Sequence, residues 1–438
     1  MSKDRAMLNA FDPASADGLD DRTRALIARR ERLLAPSYRL FYERPLHVVR
    51  GEGVWLFDVD GRRYLDAYNN VVSVGHAHPA VVRAIANQAA VLNTHTRYLH
   101  ESVLDTAEAL LATMPDTPQQ MLFTCTGSEA NDAALRIARA ATGGTGVIVT
   151  QLAYHGVTAA VSGISPSLAP TAPRPPHVRV VPAPDTFRIA DVATALAADV
   201  GSAIADLLAH GIRPAALIVD TLFTSDGVFS DPAGFLAPAV DAIHAAGGLF
   251  IADEVQAGMG RSGSTMWGFQ RHGVVPDLVT MGKPLGNGHP VAAVAGRPEV
   301  LAPFGAEARY FNTFCGNPVA MAAALATLRV MQDEGLQANA AAVGAHLRAG
   351  FRQLAAAHPV IADVRGDGLF LGVELDDGTP RRDLTAAVVN GMRERGVLIS
   401  ATGVHGNVLK LRPPLVLTRE QANLLLSVAD EALTAVGA

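Results

Sequence analysis

The feature that most constrains the fold is a long alternation of short apolar runs and helical periods that begins near Pro79. Strands that alternate with helices at this spacing predict a mostly parallel sheet with helices on both faces, which is an α/β architecture. The predicted strands, in chain order, are QQMLFTC, VIVT, VRVVP, ALIVD, GLFIAD, DLVTM and VAAVAG.

The two ends of the chain have a different pattern. Residues 47–65, HVVRGEGVWLFDVDGRRYL, alternate apolar and polar side chains around two turn signals and predict a short antiparallel meander. After Pro318 a long Ala/Leu helix leads to the predicted strands GLFLGVEL, GVLIS and NVLKLRPPL, which indicate an α+β region. We therefore expect a large domain at residues 76–318 and a smaller domain assembled from 1–75 and 319–438.

Composition and charge exclude several classes of protein. The chain has 438 residues, 49% of them hydrophobic, which is incompatible with intrinsic disorder. Its net charge of −6, without blocks of like charge, predicts neither a nucleic-acid partner nor a membrane anchor. Two cysteines, Cys125 and Cys315, cannot frame a disulfide scaffold. The polar N-terminus is unlike a signal peptide and no apolar run approaches membrane-spanning length, so we expect a cytoplasmic protein.

Lysine is scarce in this chain. Of 36 basic residues only Lys3, Lys283 and Lys410 are lysines. Arginine has taken almost every position where a surface cation would serve, so a lysine in mid-chain is a candidate for chemistry that arginine cannot perform. A buried lysine can lose its proton and act as a nucleophile or base, whereas arginine stays charged.

Two segments at predicted strand ends could hold a ligand, because open α/β sheets bind ligands there. In TCTGSEAN, Gly127 and Ser128 open a helix whose free N–H groups suit a phosphate, although a plain helix cap with Thr126 or Ser128 explains them equally well. In AYHG, Tyr154 could stack on a planar ring, but an aromatic side chain covering the sheet edge is the commoner situation.

Two further segments carry charged groups at strand ends. FIADEVQ ends in Asp253 and Glu254, and a buried carboxylate there needs a cationic partner such as a protonated ring nitrogen, unless it merely caps the turn. In MGKPLGNG, Lys283 lies among glycines, and a desolvated amine can form a Schiff base with an aldehyde. A surface lysine is the usual alternative, but this chain uses arginine for that purpose.

Together these segments supply a phosphate cradle, a stacking ring, an anion for a pyridinium and a Schiff-base lysine, which are the parts that pyridoxal 5′-phosphate (PLP) requires. A hydrolase with Asp253 and Glu254 as paired acids leaves Lys283 and the Gly127–Ser128 turn unexplained. A non-catalytic binding protein would require an unreactive lysine. His76 and His78 have no third ligand at a recognisable spacing, so no metal site is predicted.

The segments DEVQAGMGRSG, TMGKPLGNGHP and FNTFCGNPVA resemble the class III aminotransferase family, and the similarity runs from about Tyr38 to the C-terminus. The resemblance implies the PLP fold type I, with a large mostly parallel sheet domain and a smaller α+β domain. It also implies roles for matching residues: Lys283 would form the internal aldimine and move a proton, and Asp253 would pair with the pyridinium nitrogen. Gly127 and Ser128 would hold the cofactor phosphate.

The remaining roles implied by the resemblance concern the ring and the substrate. Tyr154 and Val255 would cover the two ring faces, and Gln256 would bond the ring 3-oxygen. Thr313 would reach the phosphate of a neighbouring subunit, which implies a homodimer. Arg412 would grip an anionic group of a small amine substrate.

Within the family, NNVVSVGHAHP, LNTHTRYLHE, PAPDTFR and HGNVLKLRPPL resemble the ethanolamine-phosphate and phosphohydroxylysine phospho-lyases, with alanine–glyoxylate aminotransferases next. This favours elimination of phosphate and ammonia from a phosphorylated amino alcohol, with an ω-amino acid or amine:2-oxo acid aminotransferase as the alternative. Asp220 stands where many members have Glu, so that residue's role cannot be transferred. Lys410 either adds charge to the Arg412 pocket or lies at a sheet edge, the latter slightly favoured.

Overall fold

The computed structural model describes residues 8–114, 119–169 and 171–437. Within these residues a seven-stranded sheet forms the centre of the molecule, with strand order β4-β10-β9-β8-β7-β5-β6. All neighbouring pairs are parallel except those of β10, which runs antiparallel to both β4 and β9. The strands are β4 (Gln120–Thr124), β5 (Gly146–Thr150), β6 (Val178–Val181), β7 (Pro214–Asp220), β8 (Leu249–Asp253), β9 (Leu278–Met281) and β10 (Ala292–Gly296).

Helices cover both faces of this sheet, as the α/β pattern predicts. Along β7, Leu217 and Val219 pack into one hydrophobic cluster, whereas Ala216 and Ile218 pack into another, because successive side chains point to opposite faces. The helices of the first two thirds of the chain are α1 (Asp21–Leu33), α2 (Pro79–Ala89), α3 (Glu101–Leu111), α4 (Gly127–Thr142), α5 (Ala159–Gly163), α6 (Val192–Ala209), α7 (Ala237–Ala245), α8 (Gly268–Arg271) and α9 (Pro298–Glu307).

Two smaller sheets flank the large one. The first, β1-β2-β3-β13, consists of β1 (Val48–Glu52), β2 (Trp55–Asp58), β3 (Arg63–Asp66) and β13 (Val397–Leu398). The second, β11-β12-β15-β14, is antiparallel and consists of β11 (Ile361–Asp367), β12 (Phe370–Leu375), β14 (Ser400–Thr402) and β15 (Val408–Leu411). The C-terminal helices are α10 (Pro318–Asp333), α11 (Leu336–Ala357), α12 (Arg382–Glu394) and α13 (Arg419–Ala435).

The predicted strand GVLIS is divided between these two sheets. Val397 and Leu398 pair in parallel with Leu65 and Asp66 of β3, and Ser400 begins β14 of the other sheet. A C-terminal strand is thus hydrogen-bonded to the N-terminal meander. The domain boundaries at 75/76 and 318/319 stay predictions.

One helix corrects the expectation that no apolar run approaches membrane-spanning length. Val192–Ala209 has 18 residues and a mean hydropathy of 1.6, enough to cross a membrane by length and composition alone. Its buried residues recur at helical spacing, with Leu196, Val200 and Leu207 in the core cluster of the large sheet. A third of the helix is buried, so it packs one face against the large sheet.

The topology brings several strand ends to one edge of the large sheet. Because β10 is antiparallel to both of its neighbours, β4 runs in the same direction as β5, β7, β8 and β9. The segments that follow these strands, which include all four candidate motifs, therefore meet at a single edge.

Candidate active site

A cavity at this edge brings together seven of the nine predicted site residues. Its lining contains Gly127, Ser128, Tyr154, Asp253, Val255, Gln256 and Lys283, together with Asn131, His155, Gly156 and Asp220, which the sequence did not identify as lining residues. Arg412 joins the cavity by a hydrogen bond from Nη1 to Gln256 Oε1, 2.5 Å long. Thr313 is exposed and lies outside the cavity lining of the described chain.

The start of α4, where a phosphate cradle is predicted, is a capped helix end. Thr126 Oγ1 accepts a hydrogen bond from Glu129 N at 3.2 Å, and Glu129 accepts from Thr126 N at 3.1 Å, which completes a capping box. This cap uses the N–H of Glu129 and leaves those of Gly127 and Ser128 to the cavity, since the first turn of a helix has no internal acceptors. The helix-cap interpretation is confirmed, and it is compatible with the predicted phosphate cradle, which stays a prediction.

Gly156 explains how close the next loop comes to this cradle. A Cβ atom at Gly156 would lie 2.4 Å from Ser128 Oγ, and the φ of Gly156 is +133°, a value that side chains rarely adopt. Val157 N donates to Ser128 Oγ at 3.1 Å. The glycine thus allows the loop carrying Tyr154 to close over the helix start.

Asp253 is held as a hydrogen-bond acceptor at the floor of the cavity. Its Oδ2 accepts from Asn131 Nδ2 at 2.9 Å and lies 2.6 Å from His155 Nδ1, and its Oδ1 accepts from Val255 N at 3.1 Å. Thr280 Oγ1 in turn donates to Asn131 Oδ1 at 2.6 Å. The two supporting side chains fix the position of the carboxylate.

The sequence patterns did not identify Asn131 and His155 as functional residues, although both lie within the candidate motifs. Asn131 ends TCTGSEAN, one helical turn after Gly127, and His155 follows Tyr154 in AYHG. Their polarity next to a buried strand end was the available signal. Their convergence on Asp253 depends on contacts across 122 and 98 positions of sequence.

Lys283 lies on a short 3₁₀ turn, Lys283–Gly286, directly after β9. Burial, and next the neighbouring Arg412, lower the pKa of its amine to about 8. Its Nζ is 5.8 Å from the ring centroid of Tyr154. The surface-lysine alternative is wrong, since this is a desolvated amine in a cavity, as Schiff-base chemistry requires.

Lys410 and Arg412 add two buried cations beside Lys283. They are 7% and 8% exposed, and burial lowers the pKa of Lys410 well below its usual value, with Arg412 as the next cause. The sheet-edge interpretation of Lys410 is wrong because β15 lies between β12 and β14. Its Nζ lies 5.5 Å from the ring centroid of Phe370, and the Arg412 guanidinium lies 4.4 Å from that of Tyr68.

Glu254 points away from this chemistry. Its carboxylate accepts hydrogen bonds from Thr221 Oγ1 at 2.7 Å, Gly268 N at 2.7 Å and Phe269 N at 2.8 Å, so it fastens the turn before α8. Burial raises its pKa to about 7. Asp253 and Glu254 therefore do not form the acid pair of a hydrolase.

The two histidines of GHAHP bind different acids. His76 Nε2 lies 2.8 Å from Asp66 Oδ2, and His78 Nε2 lies 3.1 Å from Glu334 Oε1. Throughout residues 8–114, 119–169 and 171–437 no group of three or more His, Cys, Asp or Glu side chains could hold a metal ion. Their contacts are those of structural residues.

Comparison with known proteins agrees with this geometry. The family model of aminotransferase class-III matches residues 41–433. The chain belongs to the class III aminotransferase family. It is 42% identical over 429 residues to alanine–glyoxylate aminotransferase 2-like of Drosophila melanogaster, with 94% of this chain and 87% of the relative covered. It is 36% identical over 449 residues to ethanolamine-phosphate phospho-lyase homolog 1 of Caenorhabditis elegans, with 96% of each covered.

A solved structure shares the same fold. A phospholyase from Arthrobacter, in complex with phosphoethanolamine, superimposes with a TM-score of 0.90 and 46% sequence identity, covering 94% of this chain and 99% of its own. The chain thus has the PLP fold type I, as expected from the α/β pattern and the motifs. As a member of the class III aminotransferase family it is a PLP-dependent enzyme.

The residues of the cavity fit this cofactor. An amine, Lys283, and a fixed carboxylate, Asp253, line the same space, and the N-terminus of the 16-residue helix α4 opens onto it. At Gly127 a Cβ atom would lie 3.0 Å from the side chain of Val255, so the glycine brings the cradle close to the residue expected to cover a ring face. These groups match the aldehyde, ring nitrogen and phosphate of PLP.

Proposed function

We propose that this enzyme is a phospho-lyase, which releases phosphate and ammonia from O-phosphoethanolamine or a related phosphorylated amino alcohol and leaves an aldehyde. The observation that carries the proposal is the pair of buried basic side chains, Lys410 and Arg412, next to Lys283. In the described part of the chain the buried Nε of Arg412 has no hydrogen-bond acceptor.

Burying a basic side chain without a hydrogen-bonded acid costs free energy of folding. Such groups are therefore common where a ligand supplies the missing acceptor. Two carboxylates, Asp220 and Asp226, act electrostatically on the Lys410 amine and favour its charged form. Neither forms an ion pair with it. A phosphate monoester carries nearly two negative charges and several acceptor oxygens, which suit two cations better than a carboxylate does. The pair therefore supports a phosphorylated substrate.

Each residue has a separate task in this reaction. Bound PLP supplies an electron sink for the pair left when the Cα proton is removed. Asp253 would accept a hydrogen bond from the protonated ring nitrogen, and Lys283 would take the Cα proton of the substrate. The Cβ–O bond breaks and its electron pair leaves with phosphate, which Lys410 and Arg412 hold. Water completes the balance, giving acetaldehyde, ammonia and phosphate from O-phosphoethanolamine.

A second candidate, transfer of an amino group from an ω-amino acid to a 2-oxo acid, is favoured by a specific observation. The Drosophila melanogaster relative, at 42% identity, is named alanine–glyoxylate aminotransferase 2-like. Arg412 alone can bind a carboxylate bidentately, as an oxo acid would require. Lys410 then has no partner in the substrate.

We also propose that the enzyme acts as a homodimer. Large apolar side chains are exposed near Thr313, on the segments that precede α3 and α10: Val91, Leu92, Tyr98, Leu99, Phe311 and Phe314. A soluble chain rarely exposes so many together unless a partner covers them. A second copy would bury them and would bring Thr313 to the neighbouring cofactor phosphate.

The test compares two reactions of the PLP-loaded enzyme. With O-phosphoethanolamine and no oxo acid, the phospho-lyase forms phosphate and acetaldehyde in equal amounts. With β-alanine and pyruvate, it forms no more alanine than a Lys283→Ala control. The opposite pattern, with alanine formed and phosphate retained, would establish the aminotransferase instead.

A further inference from the structure

Four side chains between the end of β7 and the end of β15 form a hydrogen-bonded chain. Arg412 Nη1 donates to Gln256 Oε1 at 2.5 Å, and Gln256 Nε2 donates to Thr224 Oγ1 at 2.7 Å. Thr224 Oγ1 donates to Asp220 Oδ2. Every link has its donor on the same side, so the chain has one polarity, from the guanidinium to the carboxylate.

The carboxylate end of this chain is itself fixed. Asp220 accepts hydrogen bonds from Leu222 N at 3.1 Å and Thr224 N at 3.2 Å, so its side chain belongs to the turn that follows β7. Thr402 Oγ1 on β14 donates to the backbone oxygens of Thr224 and Ser225 at 3.1 and 2.9 Å. The turn is thus held by both the large sheet and the C-terminal sheet.

We propose that Asp220 and Thr224 are positioning residues that act through Gln256 on both the substrate anion and the cofactor. The hydroxyl of Thr224 lies between the short Asp220 side chain and Gln256, and it selects one orientation of the Gln256 amide. That orientation turns Oε1 to Arg412 and leaves the second N–H of Nε2 for the ring 3-oxygen of PLP. Asp220 therefore acts on the substrate and the cofactor indirectly, through Thr224 and Gln256.

The orientation of the Gln256 amide therefore links two functions of the site, the binding of the substrate anion by Arg412 and the hydrogen bond to the 3-oxygen of PLP. If the amide of Gln256 rotates, Arg412 loses an acceptor and faces an N–H group instead, and the 3-oxygen loses its donor. An unmatched donor pair costs more than the loss of one bond, because both groups are buried. Thr224 thus sets the direction of Arg412 and the hydrogen bond to the cofactor together. This inference rests on the proposed function only in identifying the Arg412 ligand as a phosphate.

The test uses Thr224→Val, which has nearly the same shape but lacks the hydroxyl, and Thr224→Ser as its matched control. The first measurement is the pH midpoint of the absorbance change of bound PLP, which needs no turnover. In T224V the loss of the donor to the 3-oxygen is expected to raise this midpoint by about half a pH unit or more. T224S, which keeps the hydroxyl, is expected to match the wild type.

The second measurement is the binding of inorganic phosphate to the PLP-loaded enzyme, followed by calorimetry. T224V is expected to bind phosphate roughly tenfold more weakly, the effect of one charge-assisted hydrogen bond, and T224S within about twofold of wild type. An unshifted absorbance midpoint in T224V, or a T224S enzyme as altered as T224V, would overturn the relay. A wild-type enzyme that fails to eliminate phosphate while T224V still shifts the midpoint would overturn the proposed function and leave the relay standing.

Discussion

Lys283 is the residue whose reactivity depends most on its surroundings. Its pKa of about 8 results first from burial and then from the positive charge of Arg412, while Asp253 and Asp220 act in the opposite direction. Only the neutral amine attacks an aldehyde. The rate at which the apoprotein captures PLP is therefore expected to rise with pH around a midpoint near 8, well below the value for an exposed lysine.

Arg412→Gln provides the control for this prediction. Removal of the neighbouring cation is expected to raise the Lys283 pKa, and with it the midpoint of PLP capture, measured by stopped-flow absorbance. An unchanged midpoint in this variant would contradict the assigned cause. The result does not depend on which substrate the enzyme uses.

Replacement of Lys410 is expected to weaken substrate binding without lowering the stability of the fold. Lys410→Met removes a buried amine that forms no ion pair with any residue the structure describes, so the melting temperature is expected to stay the same or rise. The KM for O-phosphoethanolamine is expected to increase roughly 10- to 100-fold through loss of a charged contact. Lys410→Arg keeps the charge and should lose less. A K410M enzyme with unchanged KM would remove Lys410 from the anion site.

At the level of single elements, the capping box at α4 positions the phosphate cradle. Thr126→Ala removes the acceptor for Glu129 N and is expected to cost about 1 kcal/mol of unfolding free energy. PLP affinity should fall as well, because the cap orients Gly127 and Ser128. Thr126→Ser retains the acceptor and is expected to resemble wild type in both chemical denaturation and PLP titration. Equal behaviour of the two variants would show that the cap is irrelevant.

The strands and motifs of the large sheet could be predicted because their signals are local. An apolar run followed by Asp253, or a glycine-rich turn around Lys283, is complete within a few residues. By contrast, α11 and β11 were absent from the predicted elements: α11 is Ala-rich, contains Gly344 and Gly350, and follows α10 with only Glu334 and a left-handed Gly335 between. The apolar residues of α11 recur with only weak helical periodicity, and the break between the helices is two residues long. The sequence therefore does not reveal where one helix ends and the next begins.

Pairing between distant strands could not be predicted from the sequence. GVLIS was interpreted as one strand, yet Leu398 pairs with Asp66 while Ser400 pairs with Lys410. The wrong placement of Lys410 at a sheet edge has the same origin, because strand order depends on contacts that no local pattern encodes. The support of Asp253 by Asn131 and His155 was hidden for this reason also.

At the level of the whole molecule, the proposed dimer can be tested by complementation. Lys283→Ala lacks the reactive amine, and Thr313→Asp should repel the cofactor phosphate of the neighbouring subunit, so each variant alone is expected to be inactive. If Thr313 acts across the interface, a mixed dimer contains one intact site. Equal mixing after subunit exchange should then restore about a quarter of wild-type activity, since half of the dimers are mixed.

The control for this experiment alters an exposed apolar residue elsewhere. Leu208 on α6 is exposed but lies outside the proposed interface, so Leu208→Asp should remain dimeric by analytical ultracentrifugation, whereas Phe314→Asp should dissociate. No recovery of activity in a mixture that demonstrably exchanges subunits would contradict the role of Thr313.

If the buried basic side chains beside Lys283 serve the elimination of phosphate, the stoichiometry of phosphate release will show it. The PLP-loaded enzyme is mixed with excess O-phosphoethanolamine without an oxo acid, and phosphate is counted against bound PLP. We expect many phosphate ions per PLP, with equal acetaldehyde, because elimination regenerates the cofactor in every cycle. Phosphate release of one ion per PLP or less would contradict the account, since an aminotransferase without its second substrate stops after a single amine.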